Sequence, residues 1–400
     1  MDLFCVEHKK LWSRGSVKIS VLLCIIYIVV FGGILQYQWL TLGSSKDITG
    51  SHFDGYEYIR ERQEYAKRYE PLLTVDTLSE MVSDYQRAGK NGDDKELKKT
   101  DWSVISSWLQ TLYPELQRPV IYQLMVGYVD ASALTDMYAR RQTAIETYMD
   151  ASGIKGREKD YLLSMNAKVD TPFSYTWTEG WRTVLASLIP DYGMIIAIVI
   201  IVSLAPLFSG EWRDGTGTMI LSTKDGWRKD AVAKMGVGLA FTTEVFTLVA
   251  VPSIIVQMVF LGLSGWDTPI QCIKMLAIAP MNMAQAEIYE YLFLFIGITG
   301  FASVVMLISS FFKSDRLAMM GGFAILIAPM FIAGHLPYRA QLTLDLFPLV
   351  GNAGDIFRMY TLNVFGKIVW LPYLEIVTPL LFVMICIPIS VMRWSRMQKA

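Results

Sequence analysis

The chain has 400 residues, a net charge of −1, 53% apolar and 18% charged residues, and a mean hydropathy of +0.35. That is too apolar for an ordinary soluble protein of this length. The near-zero net charge excludes little, because the charges are segregated along the chain and thin out inside long apolar runs. Of the four cysteines, Cys5, Cys24, Cys272 and Cys386, none lies in the polar stretch 44–184, which excludes a disulfide framework or a cysteine metal site there. His8, His52 and His335 are too scattered for a metal site, so no metal is expected.

A bilayer core about 30 Å thick needs roughly 20 apolar residues per crossing helix. The first 18 residues hold Lys9, Lys10, Arg14 and Lys18 and precede the apolar run Ile19–Thr41. That run is long and no small-residue cleavage pattern follows, so it reads as a retained signal anchor. Five more runs have spanning length: Leu188–Phe208, Gly236–Gly262, Glu290–Phe312, Leu317–Leu336 and Leu371–Met392. The second last holds Gly321, Gly322, Gly334 and Pro329, and membrane helices tolerate both residue types. The expected fold is therefore an all-α integral membrane protein with six transmembrane helices, the last five within 188–392.

Short cytoplasmic loops carry the excess of Lys and Arg. With the N-terminus inside, the inner side collects Lys9, Lys10, Arg14, Lys18, Arg213, Lys224, Arg228, Lys229, Lys234, Lys313, Arg316 and the tail 393–400 with Arg393, Arg396 and Lys399. The short outer connections hold only Lys274, Arg339, Arg358 and Lys367. Both termini are thus expected in the cytoplasm, and 44–184 forms one extracytoplasmic domain.

That domain reads as mostly helical. Thr77-Leu78-Ser79-Glu80 fits a capping box, with Leu78, Met81, Val82 and Tyr85 following at helical spacing. Residues 89–95 read as a loop, and 102–126 and 131–150 as further helices broken at Pro114 and Pro119. Phe173, Tyr175, Trp177 and Trp181 lead back to the membrane and read as an interfacial aromatic belt or a ligand box. The semi-apolar outer segment 337–370 reads as short helices dipping into the outer leaflet.

Signatures of catalysis are absent: no GxxxxGK[ST] phosphate loop, no HExxH and no GxSxG. No catalytic residue is assigned, and the chain is not expected to be an enzyme. Glu244 lies inside the third span, where an ionisable group is costly. It suits either a translocation path or a hydrogen bond to a neighbouring helix. Glu375, near the outer end of the last span, reads as interfacial. Gly297, Gly300, Gly321 and Gly322 permit close helix packing.

The inner loop 209–235 is long for a connection between spans. On a helix, Trp212, Thr216, Met219 and Ile220 would share one face. From its residues alone it is either a surface segment presented to a cytoplasmic partner or a basic loop held on anionic membrane lipid. Its pattern is Glu211, Gly215-Thr216, Ile220-Leu221-Ser222-Thr223, Gly226 with Arg228 across Trp227, and Lys234 entering the third span. This resembles the permease subunits of type-2 ABC exporters. Phe4, Glu7, Lys9, Lys10 and Leu11 resemble the short elbow helix before their first span. Pro172-Phe173, Tyr175 and Gly180-Trp181 resemble Gram-positive members with a large outer domain.

The resemblance implies a permease that pairs with a second copy or a related permease and sits on a cytoplasmic ABC ATPase dimer. ATP and Mg would bind that partner, no cofactor would bind this chain, and nucleic acid is not an expected partner. The docking residues it implies are Glu211, Trp212, Gly215, Thr216, Met219, Ile220, Leu221, Ser222, Thr223, Lys224, Gly226 and Arg228. The expected cargo is an amphipathic peptide, an antibiotic or a lipid-like molecule moved out across the cell membrane. The alternative is a peptide-sensing or immunity module that binds ligand outside without export.

Overall fold

The computed structural model describes residues 3–35, 55–92, 94–100, 102–116, 126–185, 189–216, 226–333, 335 and 355–396. Helix α1 (Leu3–Ser13) is separated from α2 (Gly15–Tyr27) by Arg14, whose extended backbone (φ −69°, ψ 130°) turns the chain sharply. Helix α2 continues as a π-helical stretch, Ile28–Leu35. Along it Ile19, Leu22, Leu23, Ile26 and Val29 are exposed at helical spacing. An uncovered apolar stripe of that length suits lipid rather than water.

Among the described residues, five helices are long and apolar enough to cross a membrane: Gly15–Ile34, Asp191–Arg213, Trp227–Val259, Met283–Phe311 and Leu371–Trp394. The remaining expected span corresponds to a shorter helix, Asp315–Ala333, which carries Pro329 and is not among the five.

The polar region between the first two spans contains α3 (Gly55–Ala66), α4 (Val75–Lys90), α5 (Asp94–Lys99), α6 (Trp102–Leu112), α7 (Met137–Ala151), α8 (Arg157–Asn166) and α9 (Glu179–Thr183). Its helical character matches the sequence reading, but several boundaries differ. Helix α4 starts before the expected capping box: Thr74 is its N-cap and accepts from the Thr77 amide at 3.1 Å. The Thr77 hydroxyl instead donates to the Leu72 carbonyl at 3.0 Å. The expected loop 89–95 shrinks, because α4 runs to Lys90 and α5 starts at Asp94, with Gly92 in the left-handed region (φ +66°). The helix expected over 102–126 stops at Leu112, and the one expected over 131–150 starts at Met137. Pro119 lies outside the described residues.

A two-residue antiparallel ladder, β1 (Leu72–Leu73) with β2 (Phe173–Ser174), closes this region. Phe173, Tyr175, Trp177 and Trp181 are buried, which overturns the interfacial belt. They pack inside the chain, near the connection 263–282. Trp181 Nε1 donates to the Ser264 carbonyl at 2.8 Å, and Trp108 Nε1 to the Cys272 carbonyl at 2.9 Å. Trp108 meets Tyr175 edge-on, with centroids 5.8 Å apart.

Arg141 makes the strongest tie between the two parts. Its Nε donates to the Met275 carbonyl (2.7 Å), Nη2 to the Ala277 carbonyl (2.7 Å) and Nη1 to Asn166 Oδ1 (2.8 Å), and it lies 5.4 Å from the Phe173 centroid. Burial pushes the guanidinium down to about 10, so it stays charged at neutral pH. Three acceptors and an aromatic face take the place of a counter-ion.

The membrane bundle consists of α10 (Ile189–Leu204), α11 (Pro206–Arg213), α12 (Gly226–Val256), α13 (Met283–Phe311), α14 (Asp315–Ala333) and α15 (Leu371–Arg396). Helix α13 is central and packs on α10, α12, α14 and α15. Gly300 lets α15 approach closely, since a Cβ there would stand 2.6 Å from Pro379 Cβ and 2.8 Å from its Cα. Gly321 and Gly322 lie against Ile308 and Ile201, whereas Gly297 has open space beside it. Glu375, near the start of α15, is buried.

Of the outer segment 337–370, residues 337–354 lie outside the described residues. The rest holds no dipping α-helix. A single 3-10 turn, Asp355–Phe357, leads to an antiparallel hairpin, β3 (Thr361–Val364) with β4 (Lys367–Trp370). Phe365 and Gly366 form its two-residue turn with positive φ at both (49° and 83°).

Replacing Arg141 with Met would strand two carbonyls and the Asn166 amide oxygen. The expected loss is about 3 kcal/mol, read as a lowered melting temperature of the purified chain. Arg140→Met, which breaks the partly exposed pair with Glu115, a long 3.4 Å bond to the Leu112 carbonyl and a contact with the Tyr113 ring, is expected to cost less, about 1 kcal/mol.

Candidate functional site

The densest group of buried charge lies where α1, α11 and α12 meet, at the end of the bundle opposite α3–α9. Helix α1 reaches it by lying across α12, with Leu11 buried and the Phe4 ring against Gly236. The break at Ala205, with Pro206 at the first position of α11, starts a separate short helix that ends at Arg213. Helix α12 contributes Asp230 and Lys234, one turn apart, a spacing that places both on one face.

Lys234 is the hub and is fully buried. Its ammonium lies 2.5 Å from Glu7 Oε2, 2.7 Å from Glu211 Oε1 and 3.3 Å from Asp230 Oδ1. Glu211, 1% exposed, also accepts from Lys10 Nζ at 2.6 Å and from the Thr216 hydroxyl. Three carboxylates thus surround two ammonium groups. Arg14 supplies further positive charge: burial pushes its guanidinium down, opposed by Glu211, Asp315 and Glu7. Such a group holds together only when every ion is matched, because an unpaired buried charge costs several kcal/mol.

A second set of contacts extends this joint to α14. Ser209 Oγ donates to Asp315 Oδ1 at 2.7 Å, and Arg213 pairs with the other oxygen of Asp315. Ser309 Oγ of α13 accepts from the Phe208 amide at 2.9 Å. Trp212 lies 6.1 Å from the Trp394 ring and has Lys313 Nζ 4.5 Å from its own centroid. Helices α1, α11, α12, α13, α14 and α15 are therefore tied together around α11.

The residues expected to form a docking surface divide into groups. Glu211 is buried beneath the surface as an internal ion partner. Trp212 is partly covered by Trp394 and Lys313, and Thr216 is bonded to Glu211. Gly215, with φ +72°, follows the end of α11, so Trp212 and Thr216 do not share a helical face. The expected loop 209–235 is helical at both ends, because α12 starts at Gly226 and α11 runs to Arg213. Arg228 is exposed on the first turn of α12. Met219, Ile220, Leu221, Ser222, Thr223 and Lys224 lie outside the described residues.

The elbow residues behave as a set. Glu7 and Leu11 are buried, Lys10 pairs with Glu211, Phe4 packs on α12, and Lys9 is exposed. Glu244 accepts from His8 Nε2 at 2.8 Å and from Trp12 Nε1 at 2.9 Å. It is held by α1, which favours the hydrogen-bonding alternative over a path between spans. Asp230, Arg14, Ser209 and Asp315 belong to the joint and were not singled out from sequence as its members. The Asp230–Lys234 spacing was the one local signal that could have found part of it.

Lys234→Met would leave three buried carboxylates with one ammonium fewer, an expected loss of about 3–5 kcal/mol in thermal stability. Combining it with Glu211→Gln is expected to cost less than the sum of the two single changes, measured as a double-mutant cycle of melting curves. No protein-family model, curated protein or solved structure matches this chain.

Proposed function

We propose that this chain is the permease subunit of a type-2 ABC exporter in the cell membrane, driven by a separate cytoplasmic ATPase dimer. In this reading α14 completes six spans, both termini face the cytoplasm, and residues 44–184 stand outside. Two permeases, identical or related, form the working dimer, as in Gram-positive members with a large outer domain. The cargo is an amphipathic peptide, an antibiotic or a lipid-like molecule.

The observation that carries this reading is the Lys234 joint. Glu7 and Lys10 of the elbow, Glu211 after the second span and Lys234 entering the third are the residues on which the resemblance rests, and they meet in one buried ion group. Such a joint converts displacement of the 214–228 connection into displacement of α1 and α12 together. Buried packed groups of this kind move as units rather than deforming continuously. The absence of a phosphate loop from the sequence fits an energy source on another polypeptide. Glu211, Trp212 and Thr216 serve the joint in this reading, while exposed Arg228 with the segment 217–225 meets the ATPase.

The Arg141 tie favours one second reading, a sensing or immunity module. It fixes the outer helices to the connection between α12 and α13, so a ligand-induced shift outside would reach the spans. Export depends on the partner's ATP hydrolysis, whereas a sensor retains its effect with a hydrolysis-dead partner.

Affinity purification of the chain from its native membrane is expected to recover an ATP-binding subunit in stoichiometric amount. Arg228→Glu is expected to weaken that recovery without lowering the melting temperature, because an exposed charge contributes at most about 1 kcal/mol to stability. Recovery of no ATPase under conditions that preserve other membrane complexes would sink the exporter reading.

A further inference from the structure

A cleft of about 320 Å³ lies between the 152–158 turn at the start of α8 and the strand β3. It is at the end of the bundle away from Lys234: β4 runs straight into the start of α15, whose other end carries Trp394 beside Trp212. One wall holds Ile154, Lys155, Arg157 and Glu158, and the other is residues 359–363 in unbroken succession.

That succession shows which part of β3 faces the cleft. Alternate side chains of a strand point to opposite faces, so consecutive residues line one cavity only along an edge. Hydrogen-bond alternation agrees. Val364 and Lys367 close a two-residue turn and form a hydrogen-bonded pair, as does Leu362 with Val369. Thr361 and Asn363 sit in the intervening pairs, so their backbone N–H and C=O groups point away from β4; Thr361 is buried there against Glu158, and Asn363 is exposed.

The opposite wall carries two cations, Lys155 and Arg157, and one anion, Glu158, a net positive charge. Glu158 is engaged by the Thr361 hydroxyl. Lys155 and Arg157 are exposed, and among the described residues neither forms an ion pair. Apolar Ile154, Met359 and Ile368 complete the lining. The volume is at the low end of ligand pockets, about 300–1,000 Å³, which suits the end of a chain rather than a folded partner.

We propose that this cleft binds the C-terminal end of an extended peptide. The peptide pairs with the exposed edge of β3 at Asn363, and its terminal carboxylate or an acidic side chain meets Lys155 and Arg157. Main-chain pairing supplies affinity in such additions, and the flanking groups supply selectivity. A charge-assisted pair with Arg157 fixes which end of the peptide enters. The inference deepens the exporter reading and rests on it for the side of the membrane that the cleft faces, making it a receiving site for peptide cargo.

The test uses the purified full-length chain without any ATPase. The probe is a rhodamine-labelled tetrapeptide, Val-Thr-Val-Glu with a free C-terminus, titrated by fluorescence anisotropy. The control is the same peptide with Gln in place of Glu and an amidated end. The acidic probe is expected to bind at least about tenfold more tightly than the control. Lys155→Glu with Arg157→Glu is expected to abolish that preference, and Arg157→Lys to retain most of it. Asn363→Pro, which deletes one edge N–H, is expected to weaken binding more than Asn363→Ala. Melting curves check that each variant folds.

Equal binding of both probes, binding unchanged by charge reversal, or no binding, as when the chain's own residues fill the cleft, would overturn the proposal. The exporter reading fails separately: an ATPase that does not co-purify leaves a positive titration standing. A negative titration beside a co-purifying ATPase removes only the cleft.

Discussion

The Lys234 ammonium sits where water does not reach, and it is stable there only because Glu7, Glu211 and Asp230 come from three helices to meet it. Each of those carboxylates in turn needs the ammonium. The ion group therefore fixes the elbow helix and the short helix after the second span onto the start of the third. Hydrophobic packing between membrane helices is weakly directional, since lipid tails are as apolar as leucine. A matched buried ion group is directional, and this one specifies which helix ends meet and at what register.

The opposite end of the molecule solves the same problem with one charge. Arg141 is buried with no counter-ion among the described residues and is satisfied by backbone carbonyls and one amide. Backbone acceptors at Met275 and Ala277 require the 270–278 stretch to hold a particular shape, so the guanidinium organises a connection that has little regular secondary structure. The two polar fixtures bracket an apolar bundle centred on α13, where Gly300 and Pro379 bring two helices into backbone contact. Lys234 lies near the start of α12, and the Arg141 acceptors lie in the connection between α12 and α13, closer to the start of α13.

The hairpin before α15 shows a different constraint. Its turn places Phe365 at φ 49°, a conformation that β-turn residues such as Asn or Gly adopt more readily. The semi-apolar run 337–370 reads in sequence as short helices. Pairing of Thr361–Val364 with Lys367–Trp370 overrode that reading, since β-branched and aromatic residues favour an extended backbone once a partner strand is present.

The sequence by itself determined the long apolar helices, the polar helical insertion between the first two, and the short helix before the first. Those follow from hydropathy, run length and 3.6-residue periodicity, which are local quantities. Tertiary structure decided where the informative polar and aromatic residues go. Glu211 appeared as a surface residue at a membrane exit and is an interior ion partner. Phe173, Tyr175, Trp177 and Trp181 appeared as an interfacial belt and are a packed core. Glu244 appeared as a lone acid inside a span and is bonded to His8 and Trp12 of the elbow helix. In each case the deciding partner lies beyond the reach of a helical repeat, from 23 positions (Glu211 to Lys234) to 236 (His8 to Glu244), and no local pattern encodes such a contact. The charge of a side chain is written in the sequence, but whether water or another chain segment neutralises it depends on which helices meet.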